Sequence, residues 1–194
     1  MVSIDRSSDL TTIGANGGGW VAAPGPASPA SPLTQPTAPW LPLGAISNDG
    51  LKYGFSEDAQ AFTPWGFTAP FRTQTTKSLR TISIKLWETS RTTVKSLMYR
   101  VPESSLTPTA GITSYAETAA PQPDRRAFWF VVFDGTTANG FYVPQGEITD
   151  RSDVTFKQDE MAGYEIKITA YADAAGNTVY HLDKLPTTPA YTGS

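Results

Sequence analysis

Residues 79–101, LRTISIKLWETSRTTVKSLMYRV, begin with the alternating pattern of a β-strand. Single polar residues separate Ile82, Ile84 and Leu86, so the three apolar side chains point to one face and the polar ones to the other. An apolar residue at every second position is typical of a strand with one buried face. We therefore expect a half-buried strand that ends near Leu86.

The second half of the same stretch has the period of a helix. Its apolar residues are spaced i, i+3, i+4, i+7, at Val94, Leu97, Met98 and Val101. This spacing places them on one stripe of an amphipathic α-helix. Thr89 or Ser90 precedes the stripe and is of a type that caps helix N-termini. We predict one short helix over about residues 90–100.

Short segments with strand patterns occur through the rest of the chain. They lie at residues 51–55, 112–117, 128–133, 141–143, 154–157, 164–171 and 178–182. Asp134-Gly135 and Asn139-Gly140 are typical turn pairs. Residues 128–133 are apolar on both faces, so the core must cover one face, and the helix, the N-terminal segment or another subunit must cover the other. These patterns predict a mainly β fold, an antiparallel β-sandwich or half-barrel with one short α-helix.

Residues 10–48 contain no charged side chain and are rich in Gly, Pro, Ser, Thr and Ala. This composition is common in disordered linkers, and proline at this density excludes helix and central strand. A free linker, however, has no use for large apolar side chains such as Trp20, Trp40, Leu41 and Leu43. We interpret residues 1–50 as an extended arm that contacts a neighbouring subunit through these four residues. The central domain is then 51–182, followed by a Pro/Thr/Gly-rich C-terminal arm at 183–194.

Residues 56–78 are predicted to form a long connection within the domain. Loops of this length are uncommon in compact domains and often have a function. This one carries four aromatic side chains, at Phe62, Trp65, Phe67 and Phe71. If they are exposed, they form a hydrophobic patch that needs a partner, and we expect them to contact another subunit. The alternatives are that the loop folds back over its own sandwich, or that residues 65–67 form another strand.

Composition excludes several classes of function. The formal net charge is −3 and charged residues make up 17% of the chain, which argues against tight binding of nucleic acid through phosphate neutralisation. Because the chain has no cysteine, it has neither disulfides nor thiolate metal ligands. No basic segment followed by an apolar one marks a signal peptide, and no apolar run has the ~20 residues of a membrane span. We expect no membrane partner.

No pattern in the sequence indicates catalysis, a metal or a cofactor. The single histidine, His181, lies near Asp183, but no nucleophile-elbow sequence supports a Ser-His-Asp triad. The acidic residues between 150 and 160 do not have the spacing of an EF-hand loop and are better explained as solvated turns. We predict no catalytic residue, no metal site and no cofactor, and a structural rather than enzymatic role.

Two regions resemble the major tail (tail tube) proteins of long-tailed bacteriophages. The first is Leu86-Trp87-Glu88 and the helix after it, SRTTVKSL at 90–97, similar to the family's strand-to-helix segment. The second contains GFYVP at 140–144, GEI at 146–148, VTFK at 154–157 and GYEIKITA at 163–170. It resembles the family's succession of a tyrosine-containing strand, a short turn, a further strand and a final core strand. Together the regions cover about half of the chain, and their order and spacing carry the resemblance.

The resemblance implies a structural virion protein. In that family six subunits close into a ring whose sheets form a continuous β-barrel, and the rings stack into a tube through which the phage genome passes. It implies partners as well: further copies of the chain, and the tape measure, tail terminator and distal tail proteins. The protein would be made in the bacterial cytoplasm and reside in the virion tail, of the flexible, non-contractile type.

Passage of DNA sets a condition on the charge of the tube. A lysine-lined lumen would hold duplex DNA through counterion release. We therefore expect a neutral to acidic lumen that does not bind the genome specifically. Lys85 and Lys167, on the polar faces of strands, are the residues most able to contradict this expectation.

One alternative function remains open at the level of sequence. A β-sandwich with exposed aromatics can be a decoration module that binds glycans or another capsid or tail protein, using Trp40 and Trp65 as a stacking surface. That reading predicts a monomer or trimer whose tryptophan fluorescence responds to sugar. A tube protein would instead form rings or filaments at high concentration.

Overall fold

Eight antiparallel strands and one α-helix make up the part of the chain that the computed structural model describes, residues 11–186. The strands are β1 (Asn16–Ala22), β2 (Leu41–Pro42), β3 (Lys52–Phe62), β4 (Arg72–Leu86), β5 (Arg125–Asp134), β6 (Thr137–Arg151), β7 (Tyr164–Ala170) and β8 (Tyr180–Lys184). The helix α1 spans Thr92–Tyr99, and a short 3₁₀ helix spans Glu103–Leu106. The prediction of a mainly β fold with one short helix is confirmed.

All eight strands belong to one sheet, in the order β2-β1-β5-β6-β7-β4-β3, and β8 lies off this path and pairs with β6. The 15-residue strand β6 holds the sheet together because it pairs with three others. Along one edge it pairs with β5. Along the other, residues 138–142 pair with β8 and residues 146–151 pair with β7. The sheet therefore divides at the middle of β6, which lets it curve around a core.

The segment that follows β2 closes the strand path into a hydrogen-bonded circuit. The N–H of Leu43 donates to a carbonyl of β1 at 2.9 Å. The N–H of Ser47 donates to the carbonyl of Lys85 at 2.8 Å, and the N–H of Trp87 donates to the carbonyl of Ala45 at 3.0 Å. This segment therefore links β1 to the end of β4, and the strand order returns to its start in the manner of a small barrel.

Strand β5 is buried on both faces, as its sequence predicts. Phe128 and Phe130 point into a core that includes Val94 and Leu97 of α1. Trp129 and Val131 point the other way, into a second cluster that contains Trp40 and residues of β6 and β8. The helix therefore covers one face, and the N-terminal segment covers the other within the same protomer.

The predicted change from strand to helix is confirmed, but its predicted cap is wrong. Helix α1 begins after Arg91, whose side chain makes no capping hydrogen bond. Neither Thr89 nor Ser90 occupies the cap position. Instead Arg91 donates hydrogen bonds to Glu88, which holds the turn between β4 and α1. The helix ends at Tyr99, and the next residue, Arg100, adopts a left-handed conformation with φ of 54°.

The predicted N-terminal arm is in part a strand of the domain. Residues 16–22 form β1 and pair with β5 over their whole length. Proline does not prevent this because the first proline, Pro24, comes after the strand ends. Of the predicted arm, residues 11–15, 23–40 and 43–50 lie outside the strands, and residues 1–10 lie outside the described range.

Three smaller expectations also differ from the structure. Residues 112–117 and 154–157 are not strands. Asn139-Gly140 is not a turn but part of β6, because a glycine is needed where the ring of Trp129 lies directly over the backbone. The last strand extends to Lys184, into the predicted C-terminal arm, of which residues 187–194 lie outside the described range.

Candidate assembly surfaces

The β3–β4 hairpin projects beyond the sheet. Strand β4 pairs with β7 only from residue 80 onward, and its earlier part pairs with β3 alone within the described residues. Residues 56–78, predicted as a long connection, are therefore mostly a two-stranded ribbon, and that prediction is wrong. The ribbon was missed because both of its faces are in solvent, so its sequence shows no alternation between apolar and polar residues.

Charged pairs join the two strands near the base of the hairpin. Arg80 lies 2.7 Å from Glu57, and Lys77 lies 4.0 Å from Asp58. The hydrogen bond from Arg80, helped by one from Ser78, lowers the pKa of Glu57. Exposed ion pairs of this kind contribute little stability, and an isolated two-stranded ribbon is marginal in water.

The hairpin ends in a defined turn. The N–H of Phe67 donates to the carbonyl of Pro64 at 3.2 Å, and Gly66 has a φ of 86°. Gly66 is the third residue of the turn Pro64–Phe67, and a positive φ at this position is typical of a type II β-turn. The N–H of Phe71 donates to the carbonyl of Phe62 at 2.9 Å and closes the loop. The turn therefore presents its side chains in a fixed arrangement.

The hairpin tip, residues 61–71, exposes four aromatic side chains. Trp65 is fully exposed, and the others are 85% (Phe71), 69% (Phe67) and 45% (Phe62) exposed. No charged residue lies between 59 and 71. Apolar groups grouped in this way mark surfaces that bind other proteins. The structure thus brings together four of the eight predicted contact residues.

The other four predicted contact residues lie in the protomer itself. Leu43 is fully buried and Trp40 is 8% exposed. Trp20 is half-buried against the second core cluster, and Leu41 is 41% exposed at the short strand β2. Burial within the protomer therefore explains the apolar character of Leu43 and Trp40 without a second subunit.

Residues 23–40 form a loop around a cavity of about 660 Å³. Prolines and alanines line most of it, and Trp40 forms part of its wall. The loop is tied to the sheet where the hydroxyl of Tyr142 donates to the carbonyl of Pro26 at 2.6 Å, and Trp40 meets the Tyr142 ring edge-on. The cavity depends on the path of the loop in three dimensions, and the proline spacing alone does not reveal it.

The polar face of β4, β6 and β7 carries both signs of charge. Lys85 lies opposite Glu165 in the strand register, and Lys167 lies opposite Asp150. Lys85 also forms a 3.2 Å ion pair with Glu160, and this contact lowers the pKa of the Glu160 carboxyl. Each of the two lysines singled out from sequence therefore has a carboxylate across from it.

His181 lies on β8 among aromatic rings. Its imidazole meets Tyr53 and Phe141 edge-on, with ring centres 5.7 and 5.3 Å apart. Among residues 11–186, no three potential metal ligands lie close enough together to hold an ion. In the same range, no helix has the length and hydrophobicity needed to cross a membrane.

Comparison with known proteins gives one match that spans nearly the whole chain. The sequence profile of a family described as "Phage tail tube protein" matches residues 6–192. The matched range includes the hairpin, the cavity loop and every strand. No curated protein matches the chain.

Proposed function

The chain belongs to the phage tail tube protein family, and we propose that it polymerises as stacked, six-membered rings into the tube that carries the phage genome to the host. It is a structural component of the phage tail. Stacking of identical rings is a head-to-tail contact, and such contacts continue into open filaments.

The exposed hairpin tip is the observation that carries the proposal of self-assembly. Four aromatic side chains at the end of a ribbon are costly in water and have no role in the protomer's own core. A ribbon of two strands also gains stability when another surface covers it. We therefore assign Phe62, Trp65, Phe67 and Phe71 to a contact between subunits.

The free edge of β3 supports a closed ring. Within the described part of the chain, β3 has β4 as its single hydrogen-bonded neighbour, so its other edge is unpaired. Unpaired edges promote indiscriminate strand addition, and closure of sheets into a barrel removes them. A ring in which each sheet meets the next subunit satisfies this requirement for all copies at once.

The remaining parts of the proposal follow from the role in the tail. The mixed polar face of β4, β6 and β7 is our candidate for the lumen wall, since a balanced surface does not hold DNA. The tape measure protein would occupy the tube during assembly, and the terminator and distal tail proteins would bind its two ends. Synthesis would take place in the bacterial cytoplasm, and the tail would be non-contractile.

Electron microscopy of the purified protein at high concentration tests the proposal. We expect rings or tubes in negative stain. A variant with Trp65→Ser, Phe67→Ser and Phe71→Ser should stay monomeric at the same concentration. The matched control is Ile112→Ser with Phe156→Ser, which removes two equally exposed apolar side chains, 72% and 76% exposed, outside the hairpin.

The outcomes separate assembly from the alternative function. Tubes from the control but not from the tip variant would support the proposal. A wild-type protein that remains a monomer at every concentration, with tryptophan fluorescence that changes on addition of glycans, would overturn it in favour of a carbohydrate-binding module.

A further inference from the structure

The cavity of the loop at 23–40 has the size and chemistry of a receptor for aromatic side chains. Its volume of about 660 Å³ lies within the usual range of roughly 300–1,000 Å³ for binding pockets. Its wall is made largely of proline and alanine, with the Trp40 side chain among them. Not one residue between 23 and 40 is charged.

We propose that the hairpin tip of one copy, led by Trp65, inserts into this cavity in a second copy of the chain. The inference rests on the proposed function, since it names the surface that receives the tip during self-assembly. It adds a specific pair of surfaces: residues 61–71 as the insert and residues 23–40 as the receptor.

The lack of charge on both surfaces favours this pairing. Both surfaces are free of ionisable side chains, so contact between them removes no charge from water, which would be costly. The hairpin's ion pairs, Arg80 with Glu57 and Lys77 with Asp58, lie further down the ribbon, towards the sheet. The tip can therefore enter an apolar cavity while its charged base stays hydrated at the rim, the usual arrangement of a protein interface.

The area available is a large part of what a stable interface needs. The exposed fractions of the four aromatic side chains amount to about three fully exposed ones. At about 150–250 Å² for each, the tip offers roughly 450–750 Å². A standard interface buries about 800 Å² on each partner, so the tip supplies most of one partner's share.

The receptor is held in shape before the partner arrives. The Tyr142 hydroxyl fixes the carbonyl of Pro26, and the loop contains a proline at about every third position. Proline restricts the backbone, which reduces the entropy lost on binding. The tip is likewise fixed by its turn at Pro64–Phe67. Two preorganised surfaces dock at a lower cost than two flexible ones.

Within one chain the two surfaces lie on different connections between strands. The cavity loop connects β1 and β2, whereas the tip follows β3. Trp65 is fully exposed, so it does not occupy its own chain's cavity. One insert and one receptor at different places on each copy give a head-to-tail contact, which repeats from copy to copy.

Disulfide trapping tests the pairing directly, because the chain has no cysteine and every thiol is an introduced one. The insert carries Thr63→Cys, next to the aromatic residues. The receptor carries Ala27→Cys or Ala30→Cys, and Ser114→Cys on another exposed part of the surface is the control. The two single-cysteine proteins of each pair are mixed, assembled and oxidised, and covalent dimers are measured on non-reducing gels, with tubes checked by microscopy.

We expect covalent dimers from Thr63→Cys with at least one receptor variant, and none with Ser114→Cys. If tubes form but neither receptor variant is trapped, the pairing is wrong while the proposed function stands. If no wild-type tubes form, both are overturned. Trapping with Ser114→Cys in place of the receptor variants would also overturn the pairing.

A second measurement does not depend on disulfide geometry. Trp65→Ala empties the insert and Ala30→Trp fills the receptor, so each should raise the critical concentration for assembly by about tenfold or more, the effect of losing one interface hot spot. Phe156→Ala is the control, and circular dichroism verifies that each variant is folded. Unchanged critical concentrations for both variants would contradict the inference.

Discussion

The carboxylate of Glu88 accepts a hydrogen bond of 2.8 Å from the backbone N–H of Ala45, 43 residues earlier in the chain. The same carboxylate accepts a hydrogen bond from the Arg91 side chain, just before α1. These contacts join the proline-rich N-terminal segment, the end of β4 and the helix at one point. They also secure the segment that closes the strand circuit, since the N–H of Trp87 donates to the carbonyl of Ala45.

Gly44 should not tolerate a side chain. It has a φ of 82°, and a Cβ at this position would overlap the carboxyl group of Glu88. Gly50 is the matched control, because it has a φ of 71° but no neighbouring atom within 4 Å of an added Cβ. We expect Gly50→Ala to cost about 1–2 kcal/mol from backbone strain alone. Gly44→Ala should cost more, because it also displaces Glu88.

Urea unfolding of the two alanine variants and the wild type measures this difference. Equal losses would mean that contact with Glu88 plays no part at Gly44. A larger loss for Gly50→Ala would contradict the described geometry of this junction.

The contribution of Glu88 to stability should depend on pH. The hydrogen bond from Ala45, followed by that from Arg91, lowers the pKa of Glu88 below its ordinary value of 4.5. A carboxyl whose pKa is lower in the folded state stabilises the fold above its unfolded pKa, and this stabilisation is lost as the pH falls through the folded pKa. Glu88→Gln should therefore be less stable than the wild type at pH 7, and the difference should shrink below about pH 4.5.

Urea unfolding of the wild type and Glu88→Gln at a series of pH values from 7 to 3 provides the comparison. The difference in free energy of unfolding should be constant at neutral pH and decline in acid. A difference that stays constant down to pH 3 would show that the charge of Glu88 is not what holds the junction.

Leu43 should stabilise the isolated protomer. It is fully buried in the main core, whereas Leu41, two residues earlier, is 41% exposed. Truncation of a buried leucine costs about 2–5 kcal/mol. We expect Leu43→Ala to lose this amount and Leu41→Ala to lose less than about 1 kcal/mol. The free energy of unfolding is measured at a concentration where the protein is monomeric. Equal effects would contradict the burial of Leu43 in the protomer's own core.

Sequence patterns were reliable where one face of an element is buried. The alternation of Ile82, Ile84 and Leu86 and the helical stripe of Val94 and Leu97 predicted β4 and α1, since each apolar residue reports contact with the core. The two-sided apolar run at 128–133 likewise predicted that β5 is covered on both faces.

Sequence patterns failed to predict structure at positions where no large apolar side chain marks the buried face. Strand β1 contains Gly17, Gly18 and Gly19, which are unfavourable in strands by composition. Glycine fits there because a Cβ at Gly19 would come within 2.9 Å of the Phe130 ring. The exposure of the four aromatic side chains of the tip agrees with the sequence, and their role as a contact surface stays a prediction. The cavity of the loop at 23–40 was not predicted, because its hollow shape depends on its three-dimensional path.

The balance of charges on the polar face of β4, β6 and β7 should keep DNA from binding to the tube. Lys85 and Lys167 lie opposite Glu165 and Asp150, respectively. Glu165→Lys combined with Asp150→Lys would leave the face strongly positive. If this face lines the lumen, tubes of the double variant should retain duplex DNA, with an affinity that falls steeply with salt because bound phosphates release counterions.

Co-sedimentation of assembled tubes with duplex DNA at several salt concentrations measures the effect. The control, Glu117→Lys with Asp183→Lys, makes the same change of net charge at exposed positions outside β4, β6 and β7. We expect little DNA with wild-type and control tubes and salt-sensitive retention by the double variant. Equal retention by control and double variant would mean that net charge alone governs binding. Because six copies of each face would surround one duplex, only a face that lines the lumen gives the double variant a clear excess over the control.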